Sequence, residues 1–354
     1  MDEGDFRKAR SILFPRNVLL GHGVLEQIPE VCKDFGLSGN ALIVTGTKTK
    51  DVAADIVETS LRDGGFEVQF AQVGEATQDN LYKVEAIARE AGTNFLLGVG
   101  GGSKIDLAKM AAKDLGLEFI SVPTSASHDG IASGRASIKN EEGPLSLDAR
   151  VPLGVVADTA IIVQAPYRLL AAGCADVISN STAVMDWEYA KRLRGEEFSR
   201  SAFSLALYTA ETIIDNADLI KPNLEESVWI AIRPIIISGV SMSVAGSSRP
   251  TSGSEHMFSH ALDMIVPGRA LHGEQCGVGA IMMMYLHGGD WVRLREALAK
   301  IGAPTSAREL GITPEQVIEA LINAHKVRDR FTILGHVGLT YEAAERLATI
   351  TKVI

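Results

Sequence analysis

The segment LLGVGGGSKIDLAKMAAKDL, residues 96–115, sets three consecutive glycines, Gly100, Gly101 and Gly102, between an apolar run and an amphipathic one. The apolar run reads as a buried strand, and the pattern from Ser103 to Leu115 as a helix. Glycines at such a junction let the chain turn sharply and bring bare amides against an anion, while the helix N-terminus adds a positive partial charge. That suits a pyrophosphate. A tight strand-to-helix turn without a ligand would use the same residues, so the glycines alone leave both readings open.

The same rhythm extends to either side. ALIVT at 41–45, FEVQFAQV at 66–73, NFLLGVG at 94–100 and EFISVPT at 118–124 read as strands, with helical patterns near 51–63 and 80–91 between them. Short apolar runs alternating with amphipathic stretches predict a parallel sheet flanked by helices. The glycine turn follows the third or fourth strand, unlike the ordinary Rossmann fingerprint, which follows the first. The first-turn candidate, VTGTKTKD at 44–51, has no acid at its strand end, so a cofactor 2′-phosphate is tolerated and NADPH can serve as well as NADH. Thr124, Ser125 and Ser127, just after the next strand, could hydrogen-bond the same cofactor.

Residues 136–149, ASIKNEEGPLSLDA, read as a hairpin whose acidic, Gly-Pro-containing centre is the turn. Strand signals stop after about Ile162, and the remainder reads as helices with short polar connections. The break near Gln164-Ala165-Pro166 divides the chain into an α/β dinucleotide-binding domain, 1–164, and an all-α metal- and substrate-binding domain, 165–354. A cleft between two such domains is a favoured ligand site.

With 354 residues, 46% of them hydrophobic and 22% charged, the chain is long enough for two domains and too apolar to be disordered. Its net charge is −10 with the basic residues scattered, which excludes an electrostatic footprint for nucleic acid or an anionic membrane. An anionic substrate must then be captured by a local site. Cys32, Cys174 and Cys276 have neither disulfide nor metal-site spacing and read as small buried fillers; with no apolar signal core at the N-terminus, the expected compartment is the cytoplasm. The most apolar region, Trp229 to Gly246, is interrupted by Arg233-Pro234 and reads as a core helix, so no membrane insertion is expected. The apolar helix at 277–286 is assigned to the core, and a homo-oligomer is the expected assembly.

The chemistry concentrates in SSRPTSGSEHMFSH, residues 247–260. His256 and His260, four apart, share one helical face, and His272 follows after a Pro-Gly loop. Three histidines in seventeen residues point to a metal or catalytic site. Asp176, in apolar company within GCADVISN, requires a cation. One carboxylate and two histidines with an open position form the pattern of a catalytic zinc, but periodicity does not decide which histidines bind. Arg249 and the hydroxyls beside it either take a substrate phosphate or serve as a surface ion pair and helix caps. Asp129, in Ser-His-Asp-Gly, either orients a substrate hydroxyl or makes an Asx turn or cap, and His128 reads as plain loop.

Taken together, GGGSKIDLAK, PTSASHDGIAS, GCADVISN, GSEHMFSHAL and HGEQ resemble the superfamily of glycerol dehydrogenase and dehydroquinate synthase, and within it the sn-glycerol-1-phosphate dehydrogenase family. The resemblance runs from about Asn17 through the helix containing Met282. It implies Zn2+ held by Asp176, His256 and His272, and substrate contacts from Asp129, Asp176 and His260. Around NAD(P) it implies Gly101, Gly102, Ser103, Lys104, Asp106, Thr124, Ser125, Ala126, Ser127 and Ser133. Iron-dependent members of the superfamily carry a histidine one helical turn after the aspartate; here that position is Asn180, which favours zinc. The activity implied is reduction of dihydroxyacetone phosphate to sn-glycerol 1-phosphate for archaeal-type membrane lipids. The alternative is oxidation of unphosphorylated glycerol or a related polyol.

Overall fold

The computed structural model describes residues 11–140 and 143–354. Six strands, β1 (Asn17–Gly21), β2 (Asn40–Thr45), β3 (Glu67–Gln72), β4 (Phe95–Gly100), β5 (Glu118–Pro123) and β8 (Gly154–Asp158), form one sheet in the order β1-β8-β5-β4-β2-β3. Every pairing in it is parallel. Side chains alternate faces along each strand: Leu42, Val44 and Leu96 enter one core, while Ala41, Ile43, Phe95 and Leu97 enter the other. Both faces are covered, which is why these strands read as continuous apolar runs. The covering helices include α1 (Ile28–Asp34), α2 (Asp55–Asp63), α3 (Gln78–Glu90) and α4 (Gly102–Leu115).

Strands β6 (Arg135–Asn140) and β7 (Gly143–Asp148) form a separate antiparallel hairpin, as the sequence predicts; the Glu141-Glu142 tip lies outside the described residues. After β8 the main elements are helices: α5 (Tyr167–Arg194), α6 (Arg200–Asp215), α7 (Glu225–Ala245), α8 (Ser254–Ile265), α9 (His272–Leu286), α10 (Trp291–Ile301), α11 (Pro314–Asn323) and α12 (Tyr341–Ile350). Helix α7 has the length and apolarity to cross a membrane, but 61% of its most apolar window is buried inside the protein, as expected of a core helix. Helix α5 is the axis of this half. It is buried almost throughout its middle, packs on α6, α7 and α9, and ends at Gly195, whose left-handed φ of 66° suits glycine.

The sheet's C-terminal edge and the helical half meet closely: a Cβ on Gly173 of α5 would lie 2.0 Å from the Ala126 carbonyl oxygen in the loop after β5, and one on Gly239 of α7 would lie 2.5 Å from that of Asp129. A Cβ on Gly273, at the start of α9, would lie 2.0 Å from the Ala172 carbonyl oxygen of α5, so only glycine lets these helices approach this closely. Gly102 is similarly constrained: a Cβ there would lie 2.0 Å from His128 Nε2.

Candidate active site

Asp176, midway along α5, His256 on α8, and His272 and Cys276 on α9 bring their ligand atoms within 4.8 Å of one another. Asp176 Oδ2 accepts the backbone N–H of Asp129 at 3.2 Å. Its Oδ1 is buried with no hydrogen-bond partner, and faces His256 Nε2 at 3.7 Å and His272 Nε2 at 3.8 Å. Two ligand atoms each about 2.1 Å from a tetrahedral ion would be separated by about 3.4 Å. A buried carboxylate oxygen without a donor is costly unless a cation meets it. Burial accordingly pushes the Asp176 carboxyl up to about 7.

Each histidine is fixed from behind. Ser259 donates its only hydroxyl proton to Gln275 Oε1 at 2.6 Å, and the Gln275 amide is oriented by donating to Asp263 Oδ1 at 3.0 Å. Ser259 Oγ must therefore accept at 3.1 Å from His272 Nδ1–H, which leaves the Nε2 lone pair directed at Asp176. His256 Nδ1 donates to Glu255 Oε1 at 2.9 Å, with the same result for its Nε2. Carboxylate and hydroxyl partners on the non-ligating nitrogen are the usual support of metal-binding histidines. Burial and the neighbouring histidines lower the proton affinity of His256, so its ring is neutral as a ligand requires. One oxygen and two nitrogens with a thiol beside them thus suit a divalent transition metal.

Asn180, one turn after Asp176, is not in this group. Its Nδ2 donates to Thr209 Oγ1 at 3.1 Å and Ser238 Oγ at 2.8 Å, and Ser238 in turn donates to Asp129 Oδ2 at 2.8 Å. That chain fixes the Asp129 carboxylate, and burial next to Asp176 raises its pKa to about 7. The turn at Asp129 is capped by the preceding residue, His128, whose Nδ1 accepts the Gly130 N–H at 2.9 Å. His128 lines the cavity and rests against Gly102, so it is more than loop filler.

Asp106, Asp129, Ser133, Asp176, His256, His260 and His272 all line one cavity of about 290 Å³. Asp106 Oδ2 accepts the Ser137 N–H at 3.0 Å, and its Oδ1 lies 3.5 Å from the fully buried Lys109 ammonium, which also donates to the Gly130 and Arg135 carbonyls. Lys109 thereby joins the middle of the glycine-led helix to the hairpin and the Asp129 loop. Ser133 Oγ accepts the Arg135 N–H at 3.3 Å.

The glycine turn does not itself line this cavity; it touches it through His128, which packs against Gly102. Gly101 caps α4, Gly102 begins it, and Ser103 and Lys104 occupy its first turn, all half-buried. The Thr124 N–H donates to the Gly100 carbonyl at 3.0 Å, and a Cβ on Gly101 would lie 3.3 Å from Ser125 Oγ, so the ends of β4 and β5 lie side by side. Ala126 is buried and Ser127 half-buried as this loop leads to His128. Lys104 donates to the Gly74 carbonyl.

Arg249 is not brought to the histidines. It is buried, paired with Glu196 through both ends of its guanidinium, donates to the Phe331 carbonyl at 2.9 Å, and borders a different cavity. An acid supplied by the loop after α5 neutralises it, a pairing that sequence distance conceals. Nor do the serines of 247–254 cap α8 by themselves: Asp186 Oδ2 accepts the Ser254 N–H at 2.7 Å and Glu255 Oε1 accepts that of Gly253 at 2.6 Å. Arg328, not singled out by any motif, lines the same cavity as the histidines and donates from Nη2 to His260 Nε2 at 2.9 Å. Because a guanidinium only donates, His260 Nε2 accepts; burial, His272 and the two arginines push the His260 pKa down to about 2.

The description of the iron-containing alcohol dehydrogenase family matches residues 19–166. The fold is that of a probable glycerol dehydrogenase from Sinorhizobium meliloti 1021, with a TM-score of 0.77 at 21% identity over 98% of this chain and all of that one. It is also that of a glycerol dehydrogenase from Schizosaccharomyces pombe, with a TM-score of 0.76 at 21% identity over 97% of this chain and 90% of that one. Glycerol-1-phosphate dehydrogenase (NAD(P)+) from Methanothermobacter thermautotrophicus is 58% identical over 98% of this chain and 99% of its own length. The enzyme of that name from Methanosarcina acetivorans is 56% identical over 98% of this chain and 97% of its own. With that identity sustained across both the sheet and the helical half, the chain belongs to the glycerol-1-phosphate dehydrogenase (NAD(P)+) family.

Proposed function

We propose that the chain reduces dihydroxyacetone phosphate to sn-glycerol 1-phosphate with NADH or NADPH, for archaeal-type membrane phospholipid synthesis in the cytoplasm. One hydride goes to the ketone carbon and one proton to its oxygen, and NAD(P)+ is released. The names of relatives at 58% and 56% identity support the substrate. The observation that carries the chemistry is Asp176 Oδ1, buried without a partner and faced by two histidine Nε2 lone pairs.

Asp176, His256 and His272 would hold zinc, with Cys276 beside them. Bound zinc supplies Lewis-acid polarisation of a ketone, and NAD(P)H supplies the hydride. The chain's own residues align and shield. Asp129, held by Ser238, accepts a hydrogen bond from a substrate hydroxyl, and His260 bounds the substrate side of the cavity as a neutral imidazole. The turn at Gly101 and Gly102 offers the N-terminus of a 14-residue helix to the cofactor pyrophosphate, flanked by Ser103, Lys104, Asp106, Thr124 to Ser127 and Ser133. Residues 1–164 serve the cofactor and 165–354 the metal and substrate, in a homo-oligomer whose ligands are small molecules and not nucleic acid or membrane.

Absorbance at 340 nm tests this. Turnover of dihydroxyacetone phosphate well above that of dihydroxyacetone, lost on chelation and restored by zinc, is expected. Equal turnover of both ketones would favour the unphosphorylated polyol instead, and turnover indifferent to chelation would remove the metal.

A further inference from the structure

Among the described residues, three cationic side chains line the histidine-bearing cavity: Arg135, Lys139 and Arg328. Arg135 is paired with Asp148, and Lys139 with Glu75 at 2.9 Å. Arg328 has no carboxylate within ion-pair distance among the described residues. Its Nη2 donates to a neutral imidazole, His260, and its Nη1 reaches Ser252 Oγ only at 3.5 Å. Arg330, two residues on, donates from Nη2 to Ser248 Oγ at 2.9 Å and from Nη1 to the Ser252 carbonyl. It pins the segment that presents the Ser248, Thr251 and Ser252 hydroxyls to the same cavity. A half-buried guanidinium with no described carboxylate in ion-pair reach, next to Ser252 in a cavity that Ser248 and Thr251 also line, is a site suited to an anion.

We propose that Arg328, with Ser252 and Thr251, grips the phosphate of the substrate and is the residue that makes the enzyme prefer a phosphorylated ketone. This rests on the reaction proposed above. The site adjoins the metal ligands: the His260 and His272 rings are 5.7 Å apart between centroids, and Arg328 bonds His260 Nε2. A three-carbon ketone held at Asp176, His256 and His272 would therefore extend its phosphate past His260 to Arg328. Such placement uses binding energy away from the reacting carbon to fix the carbonyl, so loss should appear in kcat/KM for the phosphorylated substrate.

The test is the ratio of kcat/KM for dihydroxyacetone phosphate to that for dihydroxyacetone, measured on wild type, Arg328→Lys and Arg328→Met, with zinc content and melting temperature as controls on folding. Two charge-assisted hydrogen bonds correspond to about a hundredfold or more in that ratio for Arg328→Met, and to about tenfold for the lysine variant, which keeps charge but not the fork. Any loss through His260 falls on both ketones and leaves the ratio unchanged. Inorganic phosphate should inhibit wild-type reduction of dihydroxyacetone competitively with the ketone and not with NADH, and should not inhibit Arg328→Met. A folded, zinc-replete Arg328→Met with wild-type preference, or phosphate inhibition that survives the substitution or competes with NADH, overturns the assignment. A wild-type enzyme with no preference for the phosphorylated ketone would instead overturn the proposed reaction itself.

Discussion

Replacing Glu255 by Gln separates support of the metal from support of the fold. Glu255 is fully buried; its Oε1 accepts from Gly253 N–H at 2.6 Å and His256 Nδ1 at 2.9 Å, and its Oε2 from Thr182 Oγ1 at 2.9 Å. Glutamine keeps the volume and one oxygen for Gly253 and His256, while Thr182, whose single hydroxyl proton has the Ser179 carbonyl at 2.9 Å as an alternative acceptor, can accept from the new amide. What disappears is the negative charge that Glu255, once ionised, places behind His256. Loss of such a partner lowers metal affinity by about 10- to 100-fold, or about 1.4 to 2.7 kcal/mol.

The metal-free fold should respond with the opposite sign. Burial and the nearby Asp186 raise the Glu255 pKa from 4.5 to about 8. A carboxyl with a raised folded-state pKa binds more protons when folded, so its contribution to stability falls as pH rises from about 4.5 towards 8. Glutamine removes that loss, and metal-free Glu255→Gln should melt no lower than wild type at pH 7.5 and relatively higher as pH rises. Competition with a chromophoric chelator reads the zinc affinity, and thermal unfolding after chelation reads the fold. Unchanged zinc affinity, or a metal-free variant destabilised by more than about 2 kcal/mol, would refute the reasoning, since an exchange that breaks no hydrogen bond should cost less than a lost buried partner.

Three further outcomes follow. With the Asp176 carboxyl at about 7 and burial keeping His256 and His272 neutral, zinc must displace a proton from Asp176 below that pH; affinity should rise about tenfold from pH 6 to 8, and a flat profile would contradict the geometry. Arg249→Ala leaves Glu196 unpaired and should cost about 1–3 kcal/mol in thermal stability, discounted because Glu196 is a third exposed, while KM for dihydroxyacetone phosphate stays within about twofold. Gly273→Ala, whose Cβ would meet the Ala172 carbonyl oxygen at 2.0 Å, should displace His272 and lower zinc occupancy measured by metal analysis, and full occupancy would show that α9 can shift freely.

The sheet was legible because both its faces are buried: each strand appears as an apolar run, and the helices between show their own period. His256 and His260 were legible as a face of α8, and Asp176 as an acid in apolar surroundings. Other parts of the site leave no local trace. Arg328 follows α11 in an ordinary polar connection, and only the folded chain shows that it lacks an acid. Glu255 resembles a first-turn helix acid until its burial behind His256 is seen. Cys276, four residues after His272 on α9, carried a usable signal, the same spacing as His256 and His260, which its reading as a small filler passed over. Arg249 shows the reverse: its motif company suggested phosphate, but its partner, Glu196, is 53 residues away.

Reduction at the Asp176, His256 and His272 site should be stereospecific, and chiral analysis of the product formed by the zinc-loaded protein from dihydroxyacetone phosphate and NADPH measures this. The expected product is sn-glycerol 1-phosphate; sn-glycerol 3-phosphate, or NADPH oxidation without a glycerol phosphate, would overturn the proposed reaction.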